Sequence, residues 1–193
     1  MALYGAMYPV IATTTLSTSA ITYSAAKVLS ELARAEVTEN YANGKYDADN
    51  YRVIYKQKFV DADINVEVET LSLADFKQLF GHTITTTGTS PNTVDELSKS
   101  GADVIPNVGF GFIHNEANKD GTESWIAHFF PWVQATPSSK SYETQGSDSI
   151  NLAGYGLTLK AYDDPINHNH EYIEVFSTEA SAKTWLNAKV NLT

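Results

Sequence analysis

The sequence predicts a mainly β fold of the α+β kind, a sheet-built body with one or two flanking helices. Three observations predict it. Most periodic stretches alternate apolar and polar residues with period two, the pattern of half-buried strands. Only two stretches, 72–81 and 178–190, read as helices. Strands come before and after the first of them, an order unlike a βαβ array. At 193 residues the chain is expected to form one domain over 1–193, large enough to bury a proper core.

Taken in order, residues 1–20 are biased toward Thr and Ser ("ATTTLSTSA") and read as an extended N-terminal arm. Residues 32–39 set Ala33, Ala35 and Val37 against Arg34, Glu36 and Thr38. In 51–59, Tyr51, Val53, Tyr55 and Phe59 oppose Arg52, Lys56 and Lys58; in 64–70, Ile64, Val66 and Val68 oppose Asn65, Glu67 and Glu69. These are three strand signals. "FVDADI" between the last two is short and polar enough to turn a hairpin, and 42–50 reads as a longer loop containing Gly44.

"SLADFKQLFG" is the clearest helix. Ser72 caps it, Asp75 stands three residues on as in a capping box, and Gly81 stops it. Leu73, Phe76, Leu79 and Phe80 form its apolar stripe. Residues 83–103 read as a long surface loop whose acidic piece, "NTVDELSKSG", has room for a turn of helix. Strands resume at "DVIPNVGFGFIHN" and "TESWIAHFFPWVQAT", and Asp120-Gly121 between them is a strong hairpin signal. "INLAGYGLTLKAY" and "HEYIEVFST" give two more strands, and a C-terminal helix over 178–190 is capped by Ser177 or Thr178.

The net charge is −10 and the pI about 4.8, so phosphate contacts that need clustered Lys and Arg are not expected. The chain has no cysteine, which excludes disulfides and thiolate metal sites. Its first residues lack a basic n-region and are interrupted by Pro9, and no apolar run approaches the ~20 residues of a membrane-spanning helix. A soluble protein made in the cytoplasm, with no membrane partner, is the expectation.

No motif carries chemistry. "HNH" puts His168 and His170 two apart, but a metal site normally needs a third ligand and none is evident. "DADN" at 47–50 and "DAD" at 61–63 lack the Gly and Glu positions of an EF-hand, so turn-forming Asp is the better reading. "GFG" at 109–111 lacks phosphate-loop spacing, and no G-x-S-x-G occurs. No cofactor is expected. The aromatic residues suit strands, cores and interfaces, or a sugar-binding platform.

One feature exceeds ordinary strand pairing. Between residues 31 and 75, ten carboxylates stand against five Lys and Arg. Cross-strand pairs of Lys56 and Lys58 with Asn65 and Glu67 would account for a few tenths of a kcal/mol. They leave the acidic surplus unexplained.

The chain resembles the major tail proteins of long, non-contractile-tailed bacteriophages. The likeness lies in the order "ITYSAAKVLSELARAEVTENY", a loop with "YDADN", the charged strand "YRVIYKQKF", then "LADFKQLFGHT", "VIPNVGFGFIHNEANKDGTESWIAHFFPWVQAT" and "INLAGYGLTLKAY". It implies a β-sandwich or partial barrel with flanking helices, completed across subunits into one β-barrel within a hexameric ring. Rings stack head to tail into the tail tube, a conduit for DNA ejection with no catalysis. The implied partners are other copies of the chain, a tape-measure protein, and the tail tip and tail terminator proteins; DNA passes without specific binding. The implied location is the virion tail, assembled in the host cytoplasm. A wet, enclosed sheet face explains the surplus acid, and Glu36, Glu67 and Glu69 are the lumen candidates. Asn43, Lys45, Asp47, Asp49 and Asn50 are the inter-ring candidates. The alternatives are a non-enzymatic glycan-binding or adhesion β-sandwich, and the inner tube of a contractile device.

Overall fold

The computed structural model describes residues 2–48, 51–117, 119–136 and 154–192. The fold is mainly antiparallel β, with β1 (Ala2–Leu16), β2 (Ile21–Val28), β3 (Leu32–Ala48) and β4 (Tyr51–Val68) before helix α1 (Leu73–Phe80). Then follow β5 (Thr83–Thr89), β6 (Asn92–Ser98), β7 (Asn107–Ala117), β8 (Glu123–Thr136), β9 (Tyr155–Ala161), β10 (Tyr172–Phe176) and helix α2 (Glu179–Val190). The main sheet runs β2-β1-β7-β8-β9-β4-β3, with β10 also on β8; β5 and β6 form a sheet of their own.

β8 joins two halves of the molecule. Its first part, Trp125–Phe129, pairs with β10, and its last part, Val133–Thr136, pairs with β9. The sheet therefore bends, and its middle strands are covered on both faces. On one face, Ile11, Phe110, Phe112 and Phe130 pack with Ile64, Val66, Val68, Leu157 and Leu159 and with Phe76, Leu79 and Phe80 of α1. On the other, Val10, Ala12, Ile113, Ala127 and Phe129 pack against Ala182, Leu186 and Val190 of α2. Close approach requires glycine at 111, where a Cβ would stand 2.8 Å from both the His128 carbonyl oxygen and Leu186 Cδ2.

Both helices begin and end as the sequence signals. Ser72 and Asp75 form a reciprocal capping box on α1, and Gly81 adopts the left-handed conformation at φ 73°. Thr178 caps α2 by accepting from the Ser181 N–H.

Four segments differ from expectation. The arm expected over 1–20 is largely strand β1, held between β2 and β7, because Val10, Ile11 and Ala12 are apolar enough to be fully buried. "FVDADI" does not turn: β4 runs through it, burying Ala62 and Ile64 and pointing Asp61 and Asp63 to the opposite face. It lacks the Gly or Asn that a tight hairpin turn requires. The loop expected at 42–50 is instead the far part of the β3–β4 hairpin, with Gly44 opposite Lys56 in the ladder. The loop expected at 83–103 holds the β5–β6 hairpin, and its acidic piece is strand β6 rather than helix. Thr-rich "TITTTGT" suits a strand, since its branched side chains fit a pleated surface.

Candidate functional site

The outward face of β3, β4, β9 and the end of β8 is polar throughout. Register sets its rows: Arg34, Glu67 and Gly156; Glu36, Asn65, Thr158 and Thr136; Thr38, Asp63, Lys160 and Gln134; Asn40 and Asp61. Alternation produces this face, because the residues between these are buried on β4, β8 and β9, and Ala35 and Val37 of β3 are half-buried. Glu36 and Glu67, two of the expected lumen residues, lie on it in adjacent rows. Glu69, the third, stands exposed just past the end of β4, its N–H donating to the Glu31 carbonyl at 2.9 Å.

At the centre of the face is a cluster built on Asp61 and Asp63, which lie in strand β4 rather than in the expected turn. Asn40 Nδ2 donates to Asp61 Oδ1 at 2.7 Å and to Asp63 Oδ2 at 2.8 Å. Lys160 Nζ lies 3.2 Å from Asp61 Oδ1 and 3.0 Å from Asp63 Oδ1. The Asn40 amide, then Lys160, hold the Asp63 carboxyl below the usual carboxylate range. Asp63 and Asp61 in turn push the Lys160 ammonium up. Arg34 pairs with Glu36 at 2.6 Å on the exposed rim. Glu67, Glu69 and Glu31 have no ion pair with any described residue, so the face stays acidic after internal pairing.

Beyond Asn40 and Asp61 the β3–β4 hairpin leaves the body. Tyr41, Ala42, Asn43, Gly44, Lys45 and Tyr46 are all exposed, as are Ile54 to Lys58. The pairs Ala42–Lys58, Gly44–Lys56 and Tyr46–Ile54 share the side that continues the polar face; Asn43–Gln57 and Lys45–Tyr55 share the other. Lys56 and Lys58 thus face Gly44 and Ala42, not Asn65 and Glu67 as a short hairpin would have had it. Of the expected inter-ring residues, Asn43 accepts from the Tyr55 hydroxyl at 3.0 Å, and Lys45 is exposed opposite Tyr55. Asp47 pairs with Arg52 in the ladder, while Asp49 and Asn50 lie outside the described residues.

The hairpin is fastened to the body by His170. Its ring stacks on Phe59 at 3.8 Å and 14°, with Nε2 3.4 Å from Glu39 and Nδ1 3.6 Å from Asp163. Next to it, Glu171 takes His128 Nδ1 at 2.6 Å, and His128 Nε2 meets His114 Nδ1 at 3.0 Å. Burial, then the nearby His128, holds the His114 imidazole below its usual value. His168 sits in the left-handed conformation. Among the described residues no three His, Asp or Glu side chains are placed to hold a metal. The three tryptophans are half-buried rather than displayed together, and the exposed tyrosines 41, 46 and 55 are divided between both sides of the hairpin.

The β5–β6 hairpin is the second projection. Only Ile84 and Leu97 are half-buried, and Thr86 Oγ1 donates to Asp95 at 2.6 Å. Its root is closed by His82 Nδ1 against Asp103 Oδ2 at 2.8 Å.

These features define a mainly antiparallel β protein with one charged sheet face and two protruding hairpins. No protein-family model matches the chain, and no curated protein matches its sequence.

Proposed function

We propose that this chain is a structural subunit of a tail tube, of the kind found in long non-contractile-tailed bacteriophages, and that it carries out no catalysis. Six copies close into a ring, rings stack head to tail around a tape-measure protein, and tail tip and tail terminator proteins bound the stack. The tube, part of the virion tail and assembled in the host cytoplasm, conducts DNA at ejection.

The observation that carries this reading is the margin of the sheet. β3 is 17 residues long and, among the described residues, pairs only with β4. A long unpaired strand edge invites association, and a monomer normally shortens or covers it. Pairing with a neighbour in a closed ring removes the edge altogether. The acidic face beside it then lines the bore. DNA carries about one negative charge per ~1.7 Å of axis, and such a face repels it near the wall, within a Debye length of ~8 Å. Unlike top and bottom faces make a heterologous contact that propagates as a filament.

The test is electron microscopy of the purified protein, alone and with tail tip components. Rings with a central hole, or stacks of them, are expected. Failure to form either in both settings would refute the proposal.

A further inference from the structure

The two hairpins leave the body at opposite ends and carry opposite charge. The register fixes the ends. Val68 lies opposite Leu32 and Tyr155, Thr136 opposite Thr158, and Thr13 opposite Val108, so these residues mark one end of the sheet. Ala2 opposite Ala117, and Ala117 opposite Glu123, mark the other. The outer part of the β3–β4 hairpin extends along β3 and β4 away from Val68, toward that second end. α1 follows β4 at the first end, where Gln78 reaches Thr13 Oγ1 at 3.2 Å. The β5–β6 hairpin springs from α1 and returns to the start of β7 at that same first end.

Charge is segregated between them. Among its described residues the outer β3–β4 hairpin carries Lys45, Arg52, Lys56 and Lys58 against Asp47, whereas the β5–β6 hairpin carries Asp95 and Glu96 and no cation. Lys45, Lys56, Lys58, Asp95 and Glu96 form no ion pair with any described residue of their own chain. Apolar groups accompany the charges. Tyr46 and Ile54, 61% and 48% exposed, share a side with Lys56 and Lys58. Val94, 66% exposed, shares a side with Glu96 and with Thr85 and Thr87.

We infer that the β5–β6 hairpin is the receiving surface for the β3–β4 hairpin of a second copy of this chain. Lys56 and Lys58 of one copy meet Glu96 of the next, around a contact of Ile54 and Tyr46 with Val94, while Lys45 and Asp95 add their charge from the opposite sides of the two hairpins. Opposite signs at opposite ends favour the head-to-tail contact and disfavour like ends meeting. The inference rests on the self-assembly reading above, in which the β3–β4 hairpin is already the expected inter-ring element, and names the surface that receives it.

The absence of cysteine provides a clean test that does not require complete rings. Protein carrying Ile54→Cys is mixed with protein carrying Val94→Cys under mild oxidation, and non-reducing gels are scored with a mass tag on one variant. Mixed dimers should exceed either homodimer by roughly tenfold, as expected for close complementary charges. Equal yields of mixed and like dimers, or no dimers at all, would overturn the inference. A second arm reverses charge. Lys45→Glu with Lys56→Glu and Lys58→Glu, or Asp95→Lys with Glu96→Lys, should each cut stacking about tenfold or more. The two sets combined in one chain should restore it. Stacking indifferent to either set, or not restored by the combination, would overturn the inference while leaving rings intact. Mixed dimers without rings would sustain the contact and sink the ring reading instead. Thermal unfolding of each variant checks that these exposed changes leave the fold in place.

Discussion

α1 is the mount of the β5–β6 hairpin, and Asp75 is the residue whose loss should loosen it most selectively. Its Oδ2 accepts from the Ser72 N–H at 2.6 Å and from the Ser72 hydroxyl at 2.7 Å, while Oδ1 pairs with Lys27 of β2. Only 11% of the side chain is exposed, against 29% for Lys27. Asp75→Asn keeps the shape and one acceptor. Whichever way the amide turns, its NH2 confronts either Lys27 or the Ser72 donors. Losing a charge-assisted bond of this kind costs about 1.5–3 kcal/mol, and hydration of the partly exposed Lys27 returns some of it. The expected loss is ~1–2 kcal/mol, or roughly 2–8 °C in melting temperature for a chain of this size. Burial alone would raise the Asp75 carboxyl, but the Lys27 and Ser72 hydrogen bonds outweigh it and hold the group below its ordinary value. A depressed carboxyl contributes stability above its unfolded value of ~3.9 and loses it as pH falls through the lower folded value. Urea unfolding of both proteins at pH 7 and again below pH 4 measures this. The deficit of Asp75→Asn should be full at pH 7 and shrink in acid. A variant within ~0.3 kcal/mol of the parent at pH 7, or a deficit undiminished in acid, would refute the reasoning.

Three further outcomes are expected. Gly111→Ala should destabilise by ~1–3 kcal/mol in urea unfolding, because its Cβ would press on the His128 carbonyl and Leu186, whereas Gly156→Ala meets nothing within 4 Å and should be neutral or stabilising. Lys160→Met should cost no more than about 1 kcal/mol, since the pair is partly hydrated, yet raise the Asp63 carboxyl in an NMR titration; the Asn40 amide should keep it short of a full return. On the tail-tube function proposed above, reversing Glu67 and Glu69 to Lys in an assembled phage should leave tubes intact and slow DNA release, measured by fluorescence of ejected DNA. Unchanged release kinetics would remove these residues from the bore.

The sequence carried the local features well. Ser72, Asp75 and Gly81 announce α1 because capping is decided within one turn, and Asp120-Gly121 announces the β7–β8 turn, where Gly121 takes φ 82°. What it hid was decided at long range. Asp61 and Asp63 look like turn residues until β9 brings Lys160 beside them from 97 residues further along, and their own alternation with Ala62 and Ile64 was the signal available. β1 was hidden by its Thr-rich composition, although "PVIA" was apolar enough to enter a core. Glu36 and Glu67 were legible as residues of one polar face because period two is a strong rule. That Lys56 and Lys58 lie opposite Ala42 and Gly44 was not, because register depends on where the hairpin turns.

The arrangement of charge is harder to explain within one copy than between copies. On the sheet face, Lys160 is shared by Asp61 and Asp63, and Arg34 is occupied with Glu36. Glu67, Glu69 and Glu31 remain without a described cation, while Lys45, Lys56 and Lys58 stand on the hairpin without a described anion. A free-standing protein stays soluble most simply by mixing signs over its surface, which also limits self-repulsion. Here like charges gather instead, beside a strand that has no second hydrogen-bonded neighbour among the described residues, and on projections that bury little of their own surface. The stabilisation such groups forgo within the chain is recovered only where opposite patches meet. The salt dependence to look for first therefore lies in association, not in folding: raising salt toward 1 M, where the Debye length falls to ~3 Å, should weaken the proposed contact between copies while leaving the unfolding midpoint nearly unchanged.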